Sequence, residues 1–135
     1  MLTHLLDTSV YSQRLKSRPV TAVIERWSQL GNSALAISAC CEAEVLFGLE
    51  KKQSERMWIE YDLYLRDQLT LLPFGYKEAA EYAKVRQALN LKGMPVAEMD
   101  LQIGATALAN GLVLATLNLR HFKDIPGLKL EDWSV

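Results

Sequence analysis

The segment Thr3-His4-Leu5-Leu6-Asp7-Thr8-Ser9-Val10 begins with a short apolar run and ends that run with an acid. A run without polar alternation is typical of a strand that is buried on both faces of a sheet. An acid directly after such a strand is costly to desolvate unless it is paired, caps a helix or binds a cation. The segment therefore predicts a buried strand and, at its end, a carboxylate that needs a partner.

Outward from this strand, helical and strand patterns alternate along the chain. Val20, Val23, Ile24 and Trp27 follow the spacing of one helix face, and Gly31 ends that helix. We predict further strands at 34–37, 69–72, 112–116 and 128–130, and helices at 19–30, 39–52, 55–68, 77–91 and 101–109. Ser38 and Ser54 are expected to cap the helices 39–52 and 55–68. This alternation predicts an α/β protein, a three-layer α/β/α sandwich with a mainly parallel central sheet.

Composition limits the class of protein. The 135 residues suit one domain, 1–135, with a formal net charge of -1, which argues against binding nucleic acid by bulk positive charge. A local basic strip could still do so. Cys40 and Cys41 are adjacent and form no spaced disulfide framework, which suits a reducing cytoplasm. We expect no signal peptide, because residues 1–10 contain Asp7 and lack a basic start followed by a long apolar stretch. We expect no membrane span, because no apolar run approaches the roughly 20 residues that a span needs.

Several polar side chains are expected at one edge of the sheet, where the carboxyl ends of parallel strands meet. Asp7 ends the first strand, Asp100 opens the buried helix 101–109, and Thr116 and Asn118 end the fourth strand. Each has a simpler interpretation. Asp7 could cap a helix, Asp100 could favour a helix dipole, and Thr116 or Asn118 could make turn hydrogen bonds.

The helix 39–52 offers two further acids. On a helical wheel, Glu44 shares a face with Gly48 and Lys51, which indicates a solvated side chain. Glu42 falls closer to the apolar arc and is the rival candidate. Periodicity alone does not assign a functional role to Glu44.

Five ordered blocks extend the pattern over the whole chain. They are Leu-Leu-Asp-Thr-Ser-Val at 5–10, Ala-Glu-Val-Leu-Phe-Gly-Leu-Glu-Lys at 43–51, Gly-Met-Pro-Val at 93–96, Asp-Leu-Gln-Ile-Gly-Ala-Thr-Ala-Leu-Ala-Asn-Gly-Leu at 100–112 and Leu-Ala-Thr-Leu-Asn-Leu-Arg-His-Phe at 114–122. With these blocks at this spacing, the chain resembles PIN-domain ribonucleases, and specifically the VapC-type toxins of type II toxin–antitoxin systems.

The resemblance implies the site residues. It places metal-binding acids at Asp7, Glu44 and Asp100, and prefers Glu44 to Glu42. The fourth catalytic position falls on Asn118, where relatives carry Asp or Asn. The chain departs from the family pattern at His121, since relatives often carry an acid directly before the Phe that corresponds to Phe122. Mg²⁺ or Mn²⁺ fits this set, because both prefer oxygen ligands.

The resemblance also implies an activity and partners. It implies an endoribonuclease that hydrolyses phosphodiester bonds by metal-activated water, a homodimer, and an antitoxin encoded nearby. A DNA-directed nuclease and a catalytically weak PIN-like nucleic-acid-binding domain stay open as alternatives. A phosphatase or phosphoacceptor is disfavoured, because Asp7 is followed by Thr8 and Ser9 rather than by a second acid.

Neighbouring side chains are candidates for supporting roles. The hydroxyl groups could orient water or hold the acids, or could simply cap helices, and the basic side chains could contact RNA phosphates, or could simply be solvated. The candidates are the hydroxyl residues Thr8, Ser9 and Thr116, and the basic residues Arg14, Lys16, Arg18, Arg120 and Lys123.

The helix 55–68 is apolar on two sides. One side carries Met57, Trp58, Tyr61, Tyr64 and Leu65, and the other carries Ile59 and Leu63. One side could pack on the core while the other binds a partner. Alternatively, both sides are buried within the domain.

Overall fold

The central sheet has five strands, and the computed structural model describes all 135 residues of the chain. The strands are β1 (His4–Leu6), β2 (Leu35–Ser38), β3 (Thr70–Leu72), β4 (Val113–Thr116) and β5 (Leu130–Asp132). Their order is β3-β2-β1-β4-β5, and every neighbouring pair is parallel. The predicted parallel sheet is confirmed.

The two central strands are covered on both faces. Every residue of β1 and β2 is buried, although successive side chains point to opposite faces. Helices therefore pack on each side, which gives the three layers that the alternation predicted. The largest side chains that are almost fully buried are Trp27, Trp133, Tyr11 and Phe122.

Seven helices connect and cover the strands. They are α1 (Thr8–Tyr11), α2 (Thr21–Leu30), α3 (Ala39–Lys52), α4 (Glu55–Tyr64), α5 (Tyr76–Lys92), α6 (Glu98–Ala109) and α7 (Leu119–Phe122). Short 3-10 turns occupy Ser12–Leu15 and Asn32–Ala34. The predicted caps of α3 and α4 are confirmed, because the Ser38 and Ser54 hydroxyl groups accept from the backbone N–H groups of Cys41 and Met57.

Several predicted boundaries were wrong. The helix predicted over 55–68 ends at Tyr64, because Leu65 leaves the helical conformation and Asp67 has a positive φ of 60°. The strand predicted at 128–130 is instead Leu130–Asp132. Helix α6 starts at Glu98, so Asp100 lies within its first turn rather than opening it. Helices α1 and α7 are four residues each and are too short to show a period.

The strand order fixes where a site can form. The chain passes from β1 outward to β2 and β3, and then returns to place β4 on the other side of β1. The carboxyl ends of β1 and β4 therefore flank the point where the direction of winding reverses, which is the usual binding position in such sheets. None of the helices combines the length and the hydropathy that a membrane-spanning segment needs.

Candidate active site

Asp7 lies directly after β1, and its side chain is only 4% exposed. One carboxylate oxygen, Oδ1, accepts from the Ser9 hydroxyl at 2.7 Å and from the Val10 N–H at 3.0 Å. The other, Oδ2, accepts from the Thr116 hydroxyl at 2.6 Å. Burial raises the pKa of Asp7, and these hydrogen bonds oppose the rise. The carboxylate is thus fixed in orientation, and Oδ2 retains more acceptor capacity than Oδ1.

The two hydroxyl groups that hold Asp7 also hold the end of β4. The Ser9 Oγ accepts from the Leu117 N–H at 3.1 Å, and the Thr116 Oγ1 accepts from the Asn118 N–H at 2.9 Å. Each hydroxyl therefore connects the Asp7 carboxylate to the backbone that follows β4. This network joins the carboxyl ends of β1 and β4 through side chains.

Glu44 and Glu42 point to different parts of the molecule. The Thr8 hydroxyl donates to the Glu44 Oε1 at 2.5 Å, which places Glu44 beside the residue that follows Asp7. Glu42 instead accepts from the Tyr61 hydroxyl at 3.0 Å and from the Tyr11 hydroxyl at 3.4 Å. Glu44 is half-buried, contrary to the solvated side chain that the helical wheel indicated. Glu44 therefore lies on the side of Asp7, and Glu42 lies on the side of Tyr11 and Tyr61.

Asp100 in α6 completes the acidic cluster. Burial raises the pKa of its carboxyl group, the neighbouring His121 opposes the rise, and the negative charges of Glu44 and Asp7 add to it. The Asp100 Oδ2 lies 3.4 Å from the His121 Nδ1. The three acids are thus close enough to interact electrostatically, and together they make a site of excess negative charge.

The donor chemistry of this cluster fits Mg²⁺ or Mn²⁺. The Oε2 of Glu44 and the Oδ1 of Asp100 make no hydrogen bond or ion pair in the structure. No three His, Cys, Asp or Glu side chains converge closely enough to enclose an ion by themselves. Mg²⁺ commonly keeps several waters and binds one or two carboxylates together with substrate phosphate, so an open cluster of this kind suits it.

The Asn118 side chain makes no capping hydrogen bond to α7, although Asn118 is the residue before that helix. Asn118 is exposed, and its backbone N–H contacts the Thr116 hydroxyl. The amide side chain is therefore available at the same sheet edge as Asp7. It offers a neutral oxygen where the other three residues offer carboxylates.

A groove of about 490 Å³ begins beside the acidic cluster, at Thr8 and Glu44. Its basic lining residues are Lys16, Arg18, Lys52 and Arg56. Lys16 and Arg18 were candidates from the sequence, whereas Lys52 and Arg56 were missed. The groove runs along the side of α3 that carries Val45 and Leu49, and Lys52 lies on this side.

The other basic candidates lie elsewhere. Arg14 packs over Trp27 at 4.5 Å from the ring centroid and does not line the groove. Arg120 lines a separate depression of about 240 Å³ with Asp100, His121 and Asp124. Arg120 therefore lies next to the acidic cluster, and Arg14 is half-buried beside an aromatic ring.

Two buried thiols lie next to the cluster and were not assigned a position from the sequence. The Thr8 hydroxyl lies 3.6 Å from the Cys41 Sγ, and the Cys40 Sγ lies 3.0 Å from the Gln102 Oε1. Both cysteines are free, and burial raises the pKa of each. They pack beneath the acids as uncharged thiols that make weak hydrogen bonds.

Comparison with known proteins gives a consistent result. The PIN domain model matches residues 4–128. Ribonuclease VapC2 of Haemophilus influenzae is 30% identical over 98% of this chain and 99% of its own length. The tRNA(fMet)-specific endonuclease VapC of Salmonella typhimurium is 32% identical, with the same coverage. A crystal structure of DNA-bound VapBC from Salmonella typhimurium superposes with a TM-score of 0.86 at 32% identity, covering 98% of this chain and 99% of that one.

Proposed function

Because the chain belongs to the PIN-domain family and, within it, to the VapC ribonucleases, we propose that its acidic cluster cleaves RNA with the help of Mg²⁺ or Mn²⁺. The observation that carries this proposal is the proximity of three acids: Asp7 directly follows β1, Thr8 beside it contacts Glu44, and the charges of Glu44 and Asp7 act on Asp100. Burial holds Asp7 and Asp100 in an environment that is unfavourable for charge. A cation would relieve that cost.

Asp7, Glu44 and Asp100 would hold the cation, and Asn118 would add a neutral oxygen. When bound, the cation supplies positive charge that acidifies water and offsets the charge developing on a phosphodiester. The Thr116 and Ser9 hydroxyl groups keep Asp7 in one orientation. The Thr8 hydroxyl does the same for Glu44. These contacts fix the acids before the substrate arrives, which lowers the reorganisation needed during the reaction.

The relatives also support a partner. A solved relative is a VapBC complex bound to DNA, so we infer that this chain is the toxin of such a pair and is bound by an antitoxin encoded nearby. The free, buried thiols suit a reducing cytoplasm. RNA is the substrate that the names of the relatives favour, and DNA is the alternative within the same chemistry.

Incubation of the purified protein with single-stranded and folded RNAs, and with matched DNAs, tests the proposal. We expect RNA cleavage with Mg²⁺ or Mn²⁺, none in EDTA, and little with Ca²⁺, because Ca²⁺ takes longer bonds and higher coordination numbers. Cleavage of DNA alone would assign the site to the alternative substrate. Undiminished RNA cleavage in EDTA would contradict the metal requirement.

Calorimetry with Mn²⁺ tests the remaining alternative, a catalytically weak nucleic-acid-binding domain. The intact acids predict Mn²⁺ binding by the wild-type protein. Absence of both Mn²⁺ binding and cleavage would favour the binding domain over the enzyme.

A further inference from the structure

The groove beside Thr8 and Glu44 carries a local excess of positive charge. Lys16, Arg18, Lys52 and Arg56 line it against one acid, Glu44, whereas the whole chain has a net charge of -1. Arg56 pairs with Glu60 at 2.6 Å. Lys16, Arg18 and Lys52 take part in none of the ion pairs of the structure. The groove is therefore a place where a polyanion is attracted.

The depression lined by Asp100 does not share this excess. There Arg120 and His121 lie with two acids, Asp100 and Asp124, so positive charge does not predominate. A polyanion that spans the acidic cluster would be held more strongly on the groove side. The charge distribution thus distinguishes the two approaches to the site.

Gly48 forms part of the groove lining in the middle of α3. Its φ is not in the positive region, and a Cβ atom built there would have no heavy atom within 4 Å. Neither backbone conformation nor packing therefore requires glycine, and glycine is unfavourable in a helix interior. A side chain at this position would occupy the groove, so glycine keeps the space open.

The remaining walls indicate how a nucleic acid would be held. The apolar lining residues are Leu15, Val45, Leu49 and Met57, and no aromatic side chain lines the groove. Proteins that stack single-stranded bases generally use aromatic rings for this purpose. The groove therefore suits contacts to phosphate and sugar, which carry little sequence information.

We propose that this groove binds the RNA strand on one side of the cleaved bond, with Lys16, Arg18 and Lys52 contacting backbone phosphates. This inference rests on the proposed ribonuclease function and specifies how the substrate is positioned. The lysine and arginine side chains are positioning residues, since they lie outside the acidic cluster. They should affect substrate affinity rather than the rate of the bound complex.

A double variant, Lys16→Gln with Lys52→Gln, tests the proposal against a matched control, Lys51→Gln with Lys77→Gln. Both pairs remove two exposed lysines, and Lys51 is the neighbour of Lys52 outside the groove. For the groove pair we expect KM for a single-stranded RNA to rise roughly tenfold, with kcat little changed. The slope of log(kcat/KM) against log[salt] should become shallower by roughly 1.4, since each phosphate contact contributes about 0.7 for single strands. The control pair should match the wild type.

Gly48→Leu gives an independent steric test without a change in charge. We expect the unfolding temperature to stay the same or rise, because leucine favours the helix, while KM rises. Circular dichroism and thermal unfolding establish that the variant is folded. A folded Gly48→Leu protein with wild-type KM would overturn the proposal that RNA occupies the groove.

Binding of a labelled single-stranded RNA in EDTA, followed by fluorescence anisotropy, separates the groove from the catalytic site. Equal affinity of the groove pair and the control pair would overturn the groove proposal even if the protein cleaves RNA. Weaker binding by the groove pair supports it even if cleavage fails and the proposed function is wrong. Loss of a co-purifying protein partner with unchanged RNA affinity would assign the groove to that partner instead.

Discussion

Asp7 caps α1, and its geometry is compatible with the proposed metal binding, which the sequence offered as an alternative to capping. Its Oδ1 caps α1 through the Val10 N–H, and its Oδ2 accepts only the Thr116 hydroxyl and keeps room for a cation. Capping and the proposed metal binding therefore do not exclude each other, because Oδ1 makes the capping contact and Oδ2 has acceptor capacity left for a cation. The hydrogen bonds from Ser9, Val10 and Thr116 offset part of the cost of burying this carboxyl group.

Replacing Asp7 with Asn tests this role. The amide is nearly isosteric, but it lacks the charge and one of the two acceptor oxygens. We expect RNA cleavage to fall by orders of magnitude, while the unfolding temperature changes by only a few degrees, because burial already disfavours the charged form. Activity and thermal unfolding are measured beside Asp62→Asn, an exposed acid on α4. Wild-type cleavage by a folded Asp7→Asn protein would remove Asp7 from the mechanism.

Glu44 and Glu42 provide a pair of variants on one helix. Glu44→Gln should weaken Mn²⁺ binding at least tenfold, since it removes a negative charge beside Asp100. Glu42→Gln should leave Mn²⁺ affinity unchanged, because Glu42 contacts Tyr11 and Tyr61 instead. Isothermal calorimetry gives both values. The reverse ranking would show that Glu42 is the ligand.

At the scale of elements, the sequence predicted those parts of the fold whose causes are local. The strands β1, β2 and β4 could be recognised because they are mainly apolar and do not alternate with polar residues, and α3 because Ser38 caps it. The end of α4 and the position of β5 could not, since both depend on tertiary contacts. For β5, the Trp133 N–H donates to the Thr116 carbonyl group at 3.0 Å, across the sheet from β4.

The strand β5 is tied to the rest of the protein by the Glu131 carboxylate. Its Oε1 contacts the His4 Nε2 at 2.9 Å, the Trp133 Nε1 at 3.1 Å and the Arg26 guanidinium at 3.2 Å. Although burial raises the pKa of Glu131, these contacts outweigh it, so the pKa lies below its ordinary value near 4.5. Ionised Glu131 therefore stabilises the folded state above pH 4.5.

Glu131→Gln should lower the free energy of unfolding at pH 7 by roughly 1 kcal/mol, since Glu131 is partly exposed and the ion pairs are screened. The stabilisation by the carboxylate is lost as pH falls from about 4.5 through the lower folded-state pKa. The difference in the free energy of unfolding between the wild type and Glu131→Gln should thus be smaller at acidic pH. Urea unfolding at pH 7 and at pH 3 measures it. A constant difference at both values would contradict the assigned role of the charge.

At the scale of the whole molecule, one side of α4 is left uncovered. Ile59 is 52% exposed and Leu63 is 61% exposed, so the alternative in which both sides of this helix are buried was wrong. Tyr61 and Leu65 are buried on the opposite side, whereas Tyr64, which was grouped with them, is exposed. An apolar pair of this kind is suited to contact with another chain.

We predict that the protein self-associates through this surface. Ile59→Glu with Leu63→Glu should shift the species seen by sedimentation at micromolar concentration from dimer to monomer, because a charge would be buried in the contact. Leu91→Glu, at an exposed apolar position on α5, is the control and should leave the dimer intact. A wild-type protein that sediments as a monomer would refute the prediction.

The site was only partly predictable at this scale. Asp7 follows from its place after a strand, but Glu44 was preferred to Glu42 only through the family resemblance, because periodicity pointed the other way. The groove could not be predicted, since it forms where the segment containing Lys16 and Arg18 meets α3. This contact depends on packing between segments that are distant in the sequence, so local sequence patterns do not predict it.

The adjacent free thiols of Cys40 and Cys41 allow local opening of the structure around α3 to be measured in the unmodified protein. Cys41 is fully buried and Cys40 is nearly so, so a thiol reagent can reach them only when the packing around α3 separates transiently. The rate of thiol labelling then measures how often this edge of the sheet opens locally. A ligand that bridges Asp7, Glu44 and Asp100 would hold α3 and α6 against the end of β1. Local opening would then be rarer, and the thiols would be modified more slowly. Occupancy of the cluster could therefore be followed with the unmodified sequence, with no substrate and no introduced probe.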